Sequence, residues 1–151
     1  MSRLQEELKQ NRPFDSLEAE ALLSIVRTAA VLDHALNETL KPFGLTTTQY
    51  NVLRILRGAG ETGLCGKEVA ERLISPSPDI ARLLDRMEET KLLARTRDRD
   101  DRRYVTATIT PKGLQLLDDV EPALAELRRA RVGSVDRDAL QALIDTLDSI
   151  R

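Results

Sequence analysis

Between Asp15 and Lys41 apolar residues recur at Leu22, Ile25, Val26, Ala29, Leu32, Leu36 and Leu40, close to the 3.6-residue period of an α-helix. Asp15 followed by Glu18 resembles a capping arrangement, and Pro42 with Gly44 closes the element, so a long first helix is predicted. Ahead of it Leu4 and Leu8 stand at helical spacing in a polar stretch, a frayed or partner-dependent helix ending near Pro13. Thr46 through Gln49 is a capping box that opens a second helix carrying Val52, Leu53, Ile55 and Leu56, followed by a glycine-bearing loop from Gly58 to Gly63. Gly66 to Leu73 continues the helical pattern with Val69, Ala70 and Leu73, and Ser75-Pro76-Ser77-Pro78 then forces a turn.

Ser77 is a natural N-cap and Pro78 suits the first helical position, which predicts a helix from there to about Thr90. Its apolar stripe is Ile80, Leu83, Leu84 and Met87, and its opposite face carries Arg82, Asp85 and Arg86. Two short helices joined by a tight turn fit a helix-turn-helix. After Lys91 the period changes: Leu92–Arg97 and Tyr104–Ile109 read as strands, the second with Val105, Ala107 and Ile109 inward, and Asp98–Arg102 is the hairpin tip between them. Thr110-Pro111 caps a long helix to about Arg131 with Leu114, Leu117, Val120, Leu124 and Leu127 on one stripe. Gly133 and Ser134 break it, and Asp136 starts a last helix with Leu140, Ile144 and Leu147 apolar. The fold class expected is mainly α with a small β-wing.

Composition narrows the function classes. At 151 residues, 41% hydrophobic and 32% charged but only 3% aromatic, the chain suits one helix-rich unit, or a small reading lobe with an attached lobe. No apolar run approaches the roughly 20 residues that span a bilayer, and the charged start has no signal-like apolar region, so a cytoplasmic protein without membrane contact is expected. A single cysteine, Cys65, and a single histidine, His34, supply neither a disulfide nor a zinc site, so no metal or cofactor is expected. With no glycine-rich phosphate loop either, no catalytic constellation is visible and an enzyme is not expected.

The net charge of -2 argues mildly against a nucleic-acid partner, but its distribution reverses that reading. From Lys91 to Arg103 six cations face three aspartates, a surplus of three, which leaves a net of minus five on the rest of the chain. An α-helix about 10 to 12 Å across fits a major groove of about 12 Å, where base edges carry a distinct donor and acceptor pattern. Ser77, Asp79 and Arg82, with Arg86 on the same polar face, are the candidates to meet bases and nearby phosphates. The alternative is that Ser77 only caps and Arg82 is solvated surface. At the hairpin tip Arg97, Arg99 and Arg103 could enter a minor groove, whose narrow form attracts arginine; the alternative is a solvated charged turn.

The run Asp101-Arg102-Arg103-Tyr104-Val105-Thr106-Ala107-Thr108-Ile109-Thr110-Pro111-Lys112-Gly113 resembles the D-x-R-x5-[LI]-T-x-x-G signature of the multiple antibiotic resistance regulator (MarR) family at every fixed position. Residues Ser77 to Glu88 are similar to that family's recognition helix. The resemblance implies a winged helix-turn-helix over 46–110, flanked by dimerisation helices over 1–45 and 111–151, in a homodimer bound to double-stranded DNA at a pseudo-palindromic operator. It implies a regulator, often a repressor, released by a small anionic or phenolic effector. Arg103 would be the wing arginine in the minor groove and Asp101 the carboxylate that orients it; an ion pair that only stiffens the hairpin is the other role open to them. His34 and Tyr50 are the polar ring residues that could line an effector crevice, or they are hydrogen-bonded structure. Cys65, just before a helix with Lys67 near, is either an oxidant sensor or an inert thiol. A winged-helix protein-interaction adaptor remains the rival function.

Overall fold

The computed structural model describes residues 1–151. Its elements, in chain order, are α1 (Arg3–Glu7), α2 (Leu17–Leu40), α3 (Thr47–Ala59), β1 (Leu64–Cys65), α4 (Gly66–Arg72), α5 (Ile80–Glu89), β2 (Leu93–Arg97), β3 (Val105–Ile109), α6 (Pro111–Val132) and α7 (Arg137–Ile150). The sheet order is β1-β3-β2 with both pairings antiparallel. None of the helices is long and apolar enough to cross a membrane.

Most predicted ends hold. Thr46 and Gln49 cap each other reciprocally at the start of α3. Thr110 accepts the Gly113 N–H with Pro111 in the first turn of α6, and Asp136 caps α7. Two caps shift. Ser16, not Asp15, receives the Ala19 N–H at 3.1 Å and starts α2. Asp79, not Ser77, receives the Arg82 N–H at 3.0 Å, so α5 begins two residues later than Pro78 suggests. A carboxylate at a helix N-terminus gains from the helix dipole, which favours Asp79 over the Ser77 hydroxyl, and the Ser75–Pro78 stretch stays part of the turn. The two-residue strand β1 has no sequence signal of its own; it forms because Leu64 and Cys65 pair with Ala107 and Thr106 of β3. Pro122 lies inside α6 without ending it.

One buried cluster joins these elements: Leu40 of α2, Val52, Leu53 and Leu56 of α3, Val69 of α4, Leu84 and Met87 of α5, Leu93 of β2, Ala107 of β3, and Leu117, Val120 and Leu124 of α6 belong to it. The inward face of β3 is the expected one, centred on Ala107. Burial thus fixes α5 and the wing on a common base with the start of α6. α7, by contrast, contains no buried residue, and α2 has only Leu40.

Candidate nucleic-acid interface

At 100° per residue α5 divides into three stripes. Ile80, Leu83, Leu84 and Met87 face the core, the last two buried and the others packed against it. Arg82 and Arg86 lie on the opposite, exposed side. Asp85 and Glu88 sit between, towards the wing.

Neither Arg82 nor Arg86 makes an ion pair within the chain. Both line a hollow of 340 Å³, shared with Ser77 and Asp79 from the turn and with Thr46, Thr48 and Gln49 from the start of α3. Sequence reasoning read the last three only as a capping box. Thr46 and Gln49 do cap, each accepting the other's backbone N–H at 3.1 Å, but they also floor a polar concavity beside the arginines. The run of consecutive threonines before Gln49 was the available signal. Ser77 is half-buried in this wall, and the Asp79 carboxylate is committed to its cap.

The wing tip is built by its acids and presents its cations. Asp98 Oδ1 accepts the backbone N–H groups of Asp100 at 2.8 Å and Asp101 at 3.2 Å, which hold its carboxyl below the usual range. Asp101 Oδ1 accepts the backbone N–H of Arg103 at 3.0 Å. This is a turn-forming contact of the kind aspartate makes two residues ahead, and the Asp101 carboxylate meets the backbone of Arg103 rather than its guanidinium. Arg97 is tethered inside the hairpin, its Nη1 donating to the carbonyl of Arg102 at 2.9 Å. Arg99, Arg102 and Arg103 are exposed, and their guanidinium groups have no partner in the chain.

Arg95, counted in the sequence among the basic cluster, turns inward. Its Nη2 lies 2.6 Å from Asp85 Oδ1 and 2.9 Å from Glu88 Oε1, and its backbone N–H donates to Glu88 Oε2 at 3.0 Å. The Arg95 hydrogen bond draws the Glu88 carboxyl below the usual range, and the Glu88 hydrogen bond in turn raises Arg95.

The residues proposed for small-molecule chemistry are dispersed. His34 is exposed on α2. Tyr50 is half-buried against the core, its hydroxyl accepting from Arg54 Nη1 at 3.0 Å and its ring 5.9 Å from the Arg54 guanidinium carbon. Neither lines the hollow of 460 Å³ between Phe43, Leu92, Leu116, Lys112, Gln49 and Asp119, nor that of 530 Å³ between α1, α2, the end of α6 and the middle of α7. Cys65 heads α4, where its backbone N–H donates to Glu68 Oε2 at 2.9 Å and draws that carboxyl below the usual range. Lys67, the cation expected beside the thiol, pairs instead with Glu71 at 3.9 Å. The charged neighbour of Cys65 is therefore a carboxylate, whereas a reactive thiolate site calls for a cation.

A helix-turn-helix whose second helix offers unpaired arginines, followed by a hairpin that projects more of them, defines a winged helix-turn-helix. The profile of the MarR family matches residues 43–103. A MarR transcription factor from Planctomyces limnophilus is 36% identical, with a TM-score of 0.69 over 90% of this chain and 98% of that one. CouR from Rhodococcus jostii RHA1, in a structure bound to p-coumaroyl-CoA, is 28% identical with a TM-score of 0.75 over 91% and 95%. The HTH-type transcriptional regulator MhqR of Bacillus subtilis is 32% identical over 93 residues, 62% of each chain, so that match spans less than two thirds of the relative's length. The chain belongs to the MarR family of transcriptional regulators.

Proposed function

We propose that this chain is a homodimeric, sequence-specific DNA-binding regulator, a repressor whose two winged lobes hold a pseudo-palindromic operator. The observation that carries the reading is the pairing state of its arginines. Arg82 and Arg86 on α5 and Arg99, Arg102 and Arg103 on the wing are exposed without an anionic partner, although the chain as a whole is acidic. Phosphates supply that partner, and release of their condensed counterions supplies the driving force. In this reading α5 enters the major groove, with Arg82 at the bases and Arg86, Ser77 and Thr48 at the backbone. Arg103 enters the minor groove, while Arg97 and Asp101 shape the hairpin that delivers it. Residues 46–110 read DNA, and 1–45 with 111–151 associate.

The effector reading is supported by CouR, a relative whose structure holds p-coumaroyl-CoA, and by the 460 Å³ hollow, within the roughly 300 to 1,000 Å³ typical of ligand sites. Its apolar floor of Phe43, Leu92 and Leu116 suits the ring of a phenolic molecule, and Lys112, on a rim shared with the carboxylate of Asp119, is the cation for an anionic group. Binding-site selection from a library of the source genome, followed by fluorescence anisotropy at two salt concentrations, tests the proposal. The expected result is an enriched inverted repeat with half-sites about one helical turn apart. Failure to enrich any fragment at low salt overturns it.

A further inference from the structure

We infer that Arg95 is a positioning residue for DNA recognition, the joint through which Asp85 and Glu88 lock the wing to the recognition helix so that the two engage DNA as one rigid reader. This rests on the DNA-binding reading above and adds to it a residue that touches no DNA.

Three observations converge. First, the packing between α5 and the wing stops short at its edge: a hollow of 230 Å³ lies among Ile80, Ala81 and Leu84 of α5, Val105 and Ala107 of β3 and the start of α4 at Gly66 and Lys67, with Arg95 in its wall. The shared core of Leu84, Met87, Leu93 and Ala107 seats both elements on one base, and at this open edge their relative tilt is left to polar contacts. Second, beside this hollow Arg95 links β2 to α5 with contacts of 2.6 and 2.9 Å to two carboxylates three residues apart on one stripe of the helix. A planar guanidinium forked between two acids fixes direction as well as distance, which a point charge on a flexible lysine does not. Third, Glu88 grips Arg95 at both ends, taking its backbone N–H through Oε2 and its side chain through Oε1. The strand β2 is held by its backbone, so the whole hairpin follows any tilt of α5.

The cluster is well placed to be mistaken for part of the DNA surface. Arg95 belongs by sequence to the basic segment, and Asp85 and Glu88 are acids on a helix that faces phosphates. Simple electrostatics assigns those acids a repulsive role and Arg95 an attractive one. The joint reverses the sign for the acids, because removing Glu88 frees the hairpin to sample orientations in which Arg103 no longer reaches its groove while Arg82 reads bases.

Glu88→Gln discriminates, since it preserves shape and removes a negative charge from a DNA-binding face. Its affinity is measured on the duplex that the wild-type protein enriches, with far-ultraviolet circular dichroism and salt slope recorded in parallel. The expected result is binding weakened by about fivefold to tenfold with unchanged helix content and an unchanged salt slope, as for loss of one pre-organising contact. Equal or tighter binding overturns the inference. Asp85→Asn is the second arm, expected to weaken binding in the same direction, and it decides the matter if Glu88→Gln loses helix content. Arg95→Gln should match the acid variants in affinity and keep the wild-type salt slope. A slope reduced by about one charge would mean that Arg95 contacts phosphate directly, and would overturn the inference. If the wild type enriches no duplex, the DNA-binding reading fails; if it does and these variants bind as wild type, only the joint fails.

Discussion

The hydroxyl of Thr110 lies 2.6 Å from the carbonyl oxygen of Lys91, bringing the first turn of α6 against the end of α5. The same oxygen donates towards the Leu92 carbonyl at 3.0 Å and accepts the Gly113 N–H at 3.1 Å, while Lys112 Nζ reaches the Thr90 carbonyl at 2.8 Å. Gly113 permits this approach, because a Cβ there would collide with the Leu92 carbonyl oxygen and the Ile109 side chain. Gly113→Ala should therefore destabilise the fold by about 1–3 kcal/mol, as overpacking does. Gly58, inside α3 with nothing within 4 Å, is the control: its alanine variant should gain about 0.5–1 kcal/mol. Urea unfolding of both variants at one protein concentration gives the comparison.

Lys91 itself has φ of 62°, the left-handed conformation that glycine normally supplies after a helix. Its backbone N–H closes α5 on the Glu88 carbonyl at 2.9 Å. Left-handed geometry costs an L-residue about 1–2 kcal/mol, part of which glycine returns as greater freedom of the unfolded chain. Lys91→Gly should raise the melting temperature by about 1–3 °C in a domain of this size, measured by differential scanning calorimetry.

Much of this was legible in the residues, because the signals were local. Thr46 with Gln49, Thr110 with Pro111, and Asp136 each cap a helix within three residues, and the alternation of Val105, Ala107 and Ile109 depends only on the strand period. What stayed hidden depends on pairing across distance. β1 exists only through β3, Arg95 looks like any other arginine of the wing until Asp85 and Glu88 are brought beside it, and the polar hollow at Arg82 needs Thr48 from a different helix. Asp79 rather than Ser77 is the cap because, of two residue types that both suit that role, the carboxylate gains more from the helix dipole and the turn carries it to the end of α5.

The two elements proposed to contact DNA, α5 and the wing, should respond differently to truncation. Arg82→Ala removes a guanidinium from the exposed stripe proposed to face the bases and should cost about 1–3 kcal/mol on the preferred sequence while relaxing discrimination at one base pair per half-site. Arg103→Ala should weaken binding to preferred and altered sequences alike and reduce the salt slope by about one per wing. Anisotropy titrations on the enriched duplex and on single-base variants, each at two salt concentrations, separate the patterns.

Glu88 also predicts an acid dependence of stability. Its carboxyl is held below the ordinary range, first by the Arg95 hydrogen bond, so the folded state favours the ionised form. That contribution is complete above the ordinary glutamate value and disappears as pH falls through the lowered native value. Glu88→Gln, which cannot titrate, should lose less of its urea midpoint than the wild type between about pH 7 and pH 3. Equal losses in the two proteins would show that the pair contributes nothing in this window.

In the proposed homodimer the two chains associate through what α2 and α7 leave uncovered. α7 is 14 residues long with no buried residue, and its Leu143 and Ile144 are 52% and 51% exposed. A helix of about 12–15 residues is marginal in water unless an apolar face is packed. On α2, Leu22 and Val26, one turn apart, are 56% and 64% exposed. These side chains do not contribute to the core of the single chain, so charging them should leave that core intact while placing an unpaired charge in the contact between chains. Val26→Glu and Ile144→Glu are each expected to shift light-scattering mass from dimer to monomer at micromolar concentration. The monomer retains one α5 and one wing, so it should still bind DNA with its half-site preference, but the second half-site then no longer adds to the affinity and the full inverted repeat should lose its advantage over a single half-site. A variant that stays dimeric, or a monomer that distinguishes the full repeat as sharply as the wild type, would place the association surface elsewhere.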